Sequence, residues 1–235
     1  MKNPKKFKAP PKRFHPKGLS ILYEDLDILV VDKSSGLLTV GSGNEKIKTA
    51  YFRLTDYVRR GNPKSSNRIF IVHRLDRDTS GVLLFAKTEK AKFYLQDNWQ
   101  EFQKKYSAVI VGTLDKKEDI ITSYLVENSI HKMYSVQNPA KGQLAKTGYK
   151  VLQESKHYSL LEIALLTGRK NQIRVHFAEK NCPVAGDKKY GEKQKGIKRL
   201  ALHAASITFR HPHTKQTMTF EAKIPGFFYS LLMKK

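Results

Sequence analysis

The densest cluster of polar side chains in the chain is the segment HRLDRDTSG at residues 73–81. Short apolar runs stand on both sides of it and predict buried strands. Polar loops that rigid strands hold in place are common locations of active sites. Asp76 stands close to Arg74 and Arg77, whose positive charges favour an ionised carboxylate. Such a carboxylate can act as a nucleophile or as a general base.

The same segment also fits a structural turn. In that interpretation Asp76 forms an ion pair, and the side chains of Asp78, Thr79 and Ser80 satisfy backbone donors. The residue types and their spacing leave both interpretations open.

The elements that must position this loop are mostly strands. Continuous or alternating apolar patterns predict strands at 28–31, 69–72, 81–86, 106–112, 146–152, 158–167, 201–209 and 217–224. Thr88 is expected to cap a helix that carries Ala91, Leu95, Trp99 and Phe102, and further helices are expected at 171–180 and from 226. Residues 61–68 form a polar linker. Many strands and few helices predict an α+β domain around one large sheet.

Composition restricts the partners of this domain. The chain has 235 residues, and 44 Lys and Arg against 21 Asp and Glu give a formal net charge of +23. A polyanion compensates such a charge by releasing condensed counterions, so nucleic acid is the first expected partner. A membrane surface is a less favoured partner than nucleic acid, because the sequence has no basic amphipathic helix with an apolar face.

Other classes of protein are excluded or disfavoured. A hydrophobic content of 40% excludes wholesale disorder. A single cysteine, Cys182, can form neither an internal disulfide nor a cysteine-rich zinc site. No apolar run approaches the roughly 18 residues that span a bilayer. We therefore expect a cytoplasmic protein without a membrane segment.

The first eighteen residues differ from the rest. Residues 1–18 contain seven Lys or Arg, no acid and four prolines, a composition that predicts a flexible basic arm. Such an arm either binds the phosphates of a nucleic acid or is only an unstructured terminus. Apolar patterning begins at Leu19, so we expect one catalytic domain over 19–235.

The string HRLDRDTSGVLLFAK resembles the signature of the RluA-type family of RNA pseudouridine synthases. Further segments resemble family motifs in the same order along the chain: KYSAV at 105–109, TGRKNQIRVH at 167–176, PVAGD at 183–187 with Tyr190-Gly191, and HAASITFRHP at 203–212. The chain departs from the family's pattern at Ser34, Asn171 and Ile207. These departures affect what can be expected about the substrate, and they leave the expected reaction unchanged.

The resemblance implies an α+β fold with a large mixed, mostly antiparallel sheet in two subdomains that flank a basic catalytic cleft. It implies an isomerase that converts uridines of tRNA or ribosomal RNA to pseudouridine. Asp76 corresponds to the catalytic carboxylate, Tyr106 to the residue that stacks on the extruded base, and Arg174 to the partner of Asp76. An S4-type RNA-binding domain, which some relatives carry, is not expected in residues 1–18.

RNA contacts are expected from a set of basic residues near these positions: His73, Arg74, Arg77, Arg169, Lys188 and Lys189. For Arg174 a phosphate contact is the alternative role. No metal site is expected, since His211 and His213 lie close together without a cysteine or acid nearby in sequence. No nucleotide-binding loop is present, and we expect a monomer that needs no cofactor.

A protein of another class remains as the alternative. A non-catalytic RNA-binding or ribosome-associated protein on the same scaffold would carry the same charge. An intact set of Asp76, Tyr106 and Arg174 favours the enzyme. The choice between tRNA and ribosomal RNA stays open at this point.

Overall fold

The computed structural model describes residues 7, 10–41, 43–192, 194 and 196–233. In this part of the chain the strands are β1 (Leu19–Glu24), β2 (Ile28–Lys33), β3 (Phe70–Ile71), β4 (Ser80–Ala86), β5 (Gln103–Val111), β6 (Glu118–Glu127), β7 (Met133–Val136), β8 (Gln143–Glu154), β9 (Tyr158–Leu165), β10 (Leu202–Arg210) and β11 (Thr217–Glu221). The helices are α1 (Ala50–Arg59), α2 (Glu89–Asp97), α3 (Gln172–Glu179) and α4 (Phe227–Leu232). The predicted α+β class with a mostly antiparallel sheet is confirmed.

The chain forms two compact units. The first unit contains Met1–Phe102 and Thr208–Ala222, and the second contains Gln103–Ile207 and Lys223–Lys235. None of the helices in the described ranges is long and apolar enough to cross a membrane.

In the first unit, β4 forms antiparallel pairs with β2 and with the short β3, and β1 pairs with the other edge of β2. Every residue of β4 is buried, and the apolar run of β2 is buried as well. A continuous apolar run is typical of a strand that is covered on both faces. These two strands therefore give the loop that precedes β4 a rigid base.

In the second unit, five antiparallel strands follow the order β5–β9–β8–β6–β7. The largest core cluster packs residues of β5 and β9 against α4 and against the buried face of α3. A smaller cluster joins Val175 of α3 to Leu125, Met133 and Ala145. Helix α3 is thus fixed against the sheet along its apolar side.

The segment predicted as a basic arm falls partly outside the described residues. In its described part the ring of Phe7 lies 5.2 Å from that of Tyr23, between centroids. His15 connects two neighbouring segments: Nε2 bonds to the Pro10 carbonyl, and Nδ1 accepts from the backbone N–H of Ile21. These residues are therefore attached to β1, and a flexible arm stays a prediction for the residues before them.

Several elements differ from the sequence expectations. The cap of α2 by Thr88 is confirmed, since its hydroxyl accepts from the N–H of Ala91 at 3.1 Å. The helix ends at Asp97, however, and the expectation that it carries Trp99 and Phe102 was wrong. The side-chain amide of Asn98 donates to the Tyr94 carbonyl, and such a local bond competes with continuation of the helix. A short 3-10 turn follows. Helix α1 and strands β1, β6 and β7 were not predicted.

Candidate active site

Asp76 lies on the loop that connects β3 to β4 in the first unit. Its side chain is half-buried, whereas Arg74 and Arg77 on either side are exposed and Leu75 is buried. The backbone N–H of Thr79 donates to the carbonyl of Asp76 at 3.2 Å and closes a turn. The loop thus contains both the polar cluster and the turn that the sequence allowed as alternatives.

A second segment, residues 33–39 at and after the end of β2, forms hydrogen bonds with this loop. The hydroxyl of Thr39 donates to the Leu75 carbonyl at 2.8 Å and accepts from the Leu75 N–H at 3.2 Å. The Gly36 N–H donates to the Arg77 carbonyl at 2.8 Å, and the Ser35 hydroxyl donates to the Asp78 carbonyl at 2.7 Å. Backbone on both sides of Asp76 is therefore fixed.

Lys33 strengthens the same contact from inside the core. Its side chain is fully buried, and Nζ donates to the carbonyls of Leu37, Ser34 and Arg77 at 2.8, 3.0 and 3.2 Å. A buried ammonium group is tolerated when its protons are used in this way. No pattern in the sequence indicates this role of Lys33.

Ser34 stands where family members often have proline, and the structure explains why the change is accommodated. The backbone N–H of Ser34 donates to the Gly18 carbonyl at 2.9 Å. Proline has no N–H and could not make this bond. The departure therefore links the segment at 33–39 to the residues that precede β1.

His73 is placed to position the loop. Its Nε2 accepts the backbone N–H of Leu84 at 3.0 Å, and its ring stacks on Trp99 with centroids 4.6 Å apart. Leu84 directly precedes Phe85, the last β4 residue that pairs with β3, so the side chain of His73 bonds at the next position of this ladder. These contacts favour a structural role for His73 and differ from the RNA contact expected from the sequence.

Tyr106 lies in the second unit, in the middle of β5 and opposite Ile163 of β9. Its side chain is half-buried and packs against the edge of the main core cluster. An aromatic ring in this position is rigid because strand and core both fix it.

Arg174 lies on α3 in the second unit and is almost fully buried. Its Nε and Nη2 donate to the two carboxylate oxygens of Asp187 at 2.7 and 2.8 Å. The side chain of Asp187 is completely buried. Burial raises the pKa of Asp187, but the hydrogen bonds and the charge of Arg174, with further bonds from the backbone, lower it more, and the net pKa lies below the usual 3.8. Sequence reasoning missed this pair, although Asp187 lies in the matched segment at 183–187.

The start of α3 is built from the matched segment at 167–176. Asn171 takes a left-handed conformation with φ 53°, which asparagine tolerates better than most residues. Gln172 is buried; it accepts from the Thr167 hydroxyl and the Arg169 N–H and donates to the Lys146 carbonyl. The turn before α3 is therefore fixed to β8.

The basic residues expected at RNA are placed differently. Arg77 forms an exposed ion pair with Glu45, at 2.7 Å. Arg169 donates through Nε to the Leu144 carbonyl at 3.0 Å, and Lys189 donates through Nζ to the His131 carbonyl at 2.7 Å. Lys188 is exposed. An exposed ion pair such as that of Arg77 with Glu45 is weak, so it competes little with a phosphate.

One cluster in the first unit has residue types that hold metals: Asp25, Asp27 and His211. Nδ1 of His211 accepts the N–H groups of His213 and Thr214, so Nε2 carries the proton of the 2.8 Å bond to Asp25. A nitrogen that carries a proton cannot coordinate a metal. The cluster fits a structural contact that closes the turn at 211–214.

The chain matches known proteins over most of its length. The family model for RNA pseudouridylate synthase matches residues 27–179. A protein of Vibrio vulnificus named ribosomal large subunit pseudouridine synthase C is 36% identical over 211 residues, which are 86% of this chain and 64% of that protein. Ribosomal large subunit pseudouridine synthase D of Nitrosomonas europaea is 35% identical over 230 residues, which are 91% of this chain and 64% of that protein. The chain thus spans just under two thirds of the length of these two relatives.

Two solved human structures have the same fold. RNA Pseudouridylate Synthase Domain Containing 4 has a TM-score of 0.74 at 25% identity, covering 89% of this chain and 90% of that chain. RNA Pseudouridylate Synthase Domain Containing 1 has a TM-score of 0.69 at 25% identity, covering 87% and 83%. Together with the family match over residues 27–179, these likenesses confirm the resemblance seen in the sequence, and the chain belongs to the RNA pseudouridylate synthase family.

Proposed function

We propose that this protein isomerises uridines in RNA to pseudouridine. The observation that carries the proposal is the fixed backbone around Asp76, whose half-buried carboxylate stands on a loop held by Thr39 and Lys33. In the reaction the N1–C1′ bond breaks and a C5–C1′ bond forms. The proton on C5 leaves, and N1 gains one. No redox equivalent and no transferred group is consumed, so we propose a reaction without a cofactor.

Asp76 is the proposed catalytic carboxylate. The sugar becomes electron-poor at C1′ as the glycosidic bond breaks, and a carboxylate suits that change in charge. Three routes use such a group: addition to the base, addition to the sugar, or removal of a sugar proton. All three require an ionised Asp76 in a fixed position.

Tyr106 and Arg174 are proposed to serve the same reaction. A uridine must leave its stack to react, at a cost of about a few kcal/mol. Stacking on an aromatic ring such as that of Tyr106 returns about 1–3 kcal/mol. Arg174 supplies a buried guanidinium group whose direction is fixed by Asp187, and we propose that this group serves the same reaction.

Five basic side chains are proposed to bind the RNA backbone: the exposed Arg74, Arg77, Lys188 and Lys189, and the half-buried Arg169. The net charge of +23 supports a polyanionic partner. His73 is not included, because its ring is used to hold the loop.

Ribosomal RNA of the large subunit is the proposed substrate, because the relatives described above carry that substrate in their names. We further propose that the protein acts as a monomer in the cytoplasm. The experiment is to map pseudouridines in ribosomal RNA and tRNA from cells with and without the gene. Loss of one or more sites in large-subunit RNA is expected. Loss in tRNA alone would overturn the proposed substrate, and no loss in either would overturn the proposed function.

A further inference from the structure

The contact between Arg174 and Asp187 is a side-on pair with two hydrogen bonds, at 2.7 and 2.8 Å. It uses the Nε–Nη2 edge of the planar guanidinium group. A pair with two parallel bonds fixes the plane of the group as well as its place. The direction of the end-on edge, formed by Nη1 and Nη2, is therefore fixed as well.

Asp187 is itself held in place. Its Oδ1 also accepts the backbone N–H groups of Lys189 and Tyr190, at 2.8 and 3.1 Å. The carboxylate thus caps the turn that follows it, and its side chain has no exposed surface. Since backbone donors fix the carboxylate, Arg174 is oriented by a rigid acceptor and not by a flexible side chain.

The guanidinium group of Arg174 also lies over the aromatic ring of Tyr190. The centre of the guanidinium group lies 5.2 Å from the ring centroid. The hydroxyl of Tyr190 donates to Asn171 Oδ1 at 3.1 Å and accepts the Met133 N–H at 3.0 Å. The ring is therefore fixed by the start of α3 and by the start of β7. Asp187 therefore fixes one edge of the guanidinium group, and the ring of Tyr190 restricts the space beside it.

We propose that Asp187 is a positioning residue for the reaction: it acts through Arg174, by setting the plane and direction of the guanidinium group. The ring of Tyr190 supports the same orientation by packing against the guanidinium group. The inference rests on the proposed function, since it requires that Arg174 serves the isomerisation. Asp187 touches neither the RNA nor the reacting atoms in this account.

The test is Asp187→Asn, which keeps the size of the side chain. The substitution removes the charge and puts an NH2 group against one N–H donor of Arg174, so one of the two bonds is lost. The assay measures tritium release from RNA labelled at uridine C5, with a separate measurement of RNA affinity. We expect kcat about 100-fold lower, as for a misoriented group, with the Kd for RNA within about threefold of wild type. Asp115→Asn, an exposed Asp of the same unit, is the matched control and should match wild type.

A purely structural role of Asp187 would lower kcat only in proportion to the folded fraction, which thermal unfolding measures. A second comparison uses Arg174→Lys, which keeps the charge and loses the planar fork. In that background Asp187→Asn should lower kcat by less than about threefold, because the group that it positions is gone. Equal losses in both backgrounds, or a kcat near that of wild type in folded Asp187→Asn, would overturn the inference. If wild type releases no tritium from any RNA, the proposed function itself fails.

Discussion

Thr39 holds the backbone of Leu75 through both polar groups of that residue. The threonine hydroxyl donates to the Leu75 carbonyl at 2.8 Å and accepts the Leu75 N–H at 3.2 Å, and both residues are buried. Leu75 directly precedes Asp76 in the chain. The position of the proposed catalytic carboxylate therefore depends on a side chain 37 residues away in sequence that carries no charge.

Thr39→Val removes the two hydrogen bonds of the hydroxyl but keeps the packing of the side chain, because valine has nearly the same shape as threonine. Two buried backbone groups of Leu75 then lose their partner, at a cost of about 1–3 kcal/mol in the free energy of unfolding. We also expect lower kcat in the folded variant, since the loop becomes less fixed. Urea unfolding and tritium release measure the two effects. Thr39→Ser, which keeps the hydroxyl, should restore most of the rate; equal defects in both variants would refute the role of the hydroxyl.

Lys33→Met should destabilise the first unit more strongly. Three carbonyls lose a common donor, and we expect a loss of about 3 kcal/mol in the free energy of unfolding. Lys64→Met, at an exposed position, is the control and should change stability by less than about 0.5 kcal/mol. A Lys33→Met protein as stable as this control would show that the buried ammonium group is not needed for the fold.

Burial gives His176 a pH-dependent effect on stability. The residue is buried on α3, with Nε2 2.9 Å from the Ser123 hydroxyl, and burial lowers its pKa from 6.5 to about 4. Below pH 6.5 the unfolded chain binds a proton that the folded chain does not bind until about pH 4, so stability falls as the pH falls through this range.

We therefore expect His176 to account for a loss of about 2 kcal/mol in the free energy of unfolding between pH 7 and pH 5. His176→Gln should show a pH dependence weaker by that amount, measured by urea unfolding at both pH values. His213→Gln, at an exposed position, should behave like wild type. Parallel curves for wild type and His176→Gln would contradict the assignment.

The basic start of the chain can be tested through salt dependence. Removing residues 1–6 deletes Lys2, Lys5 and Lys6. If these lysines bind phosphates, the slope of log K against log salt should become less steep by about 2, with similar losses for all RNA sequences. Replacing the three lysines by glutamine in the full chain should have the same effect. An unchanged slope in both proteins would mean that this segment does not bind RNA.

Much of the fold was predictable because strong local signals agreed with the final structure. The continuous apolar runs of β2 and β4 and the cap at Thr88 needed no tertiary information. Helix α1 was missed although Ala50, Leu54 and Val58 share its buried face, a spacing that could have found it. Strand β6 carries a weak alternation with many partly exposed residues, so its pairing with β8 decides its structure.

The residues of the candidate site could be predicted only where they belong to a recognisable sequence motif. Asp76 stood out by its neighbours, and Tyr106 and Arg174 by resemblance. Lys33, Thr39 and Asp187 were missed because their roles depend on contacts with segments distant in sequence: Lys33 and Thr39 with the loop before β4, and Asp187 with α3. No local pattern shows that a lysine at the end of a strand, such as Lys33 in β2, has a buried side chain.

The central claim is that Asp76 performs chemistry and does not merely hold a turn. Asp76→Asn keeps the shape and the hydrogen-bonding capacity of the side chain and removes its charge. If Asp76 were only structural, the Asp76→Asn protein should lose about 1–3 kcal/mol in the free energy of unfolding and keep partial activity in its folded fraction. Asp78→Asn, at an exposed position in the same loop, is the control and should keep the wild-type rate.

The most direct measurement is tritium release from RNA labelled at uridine C5, because that proton must leave whenever the base is rejoined through C5. We predict that Asp76→Asn keeps its melting temperature and RNA affinity and releases no tritium, even at long times and with excess enzyme. Release within a few-fold of wild type would contradict the account. If wild type releases none from ribosomal RNA or tRNA, a non-catalytic RNA-binding protein becomes the better description.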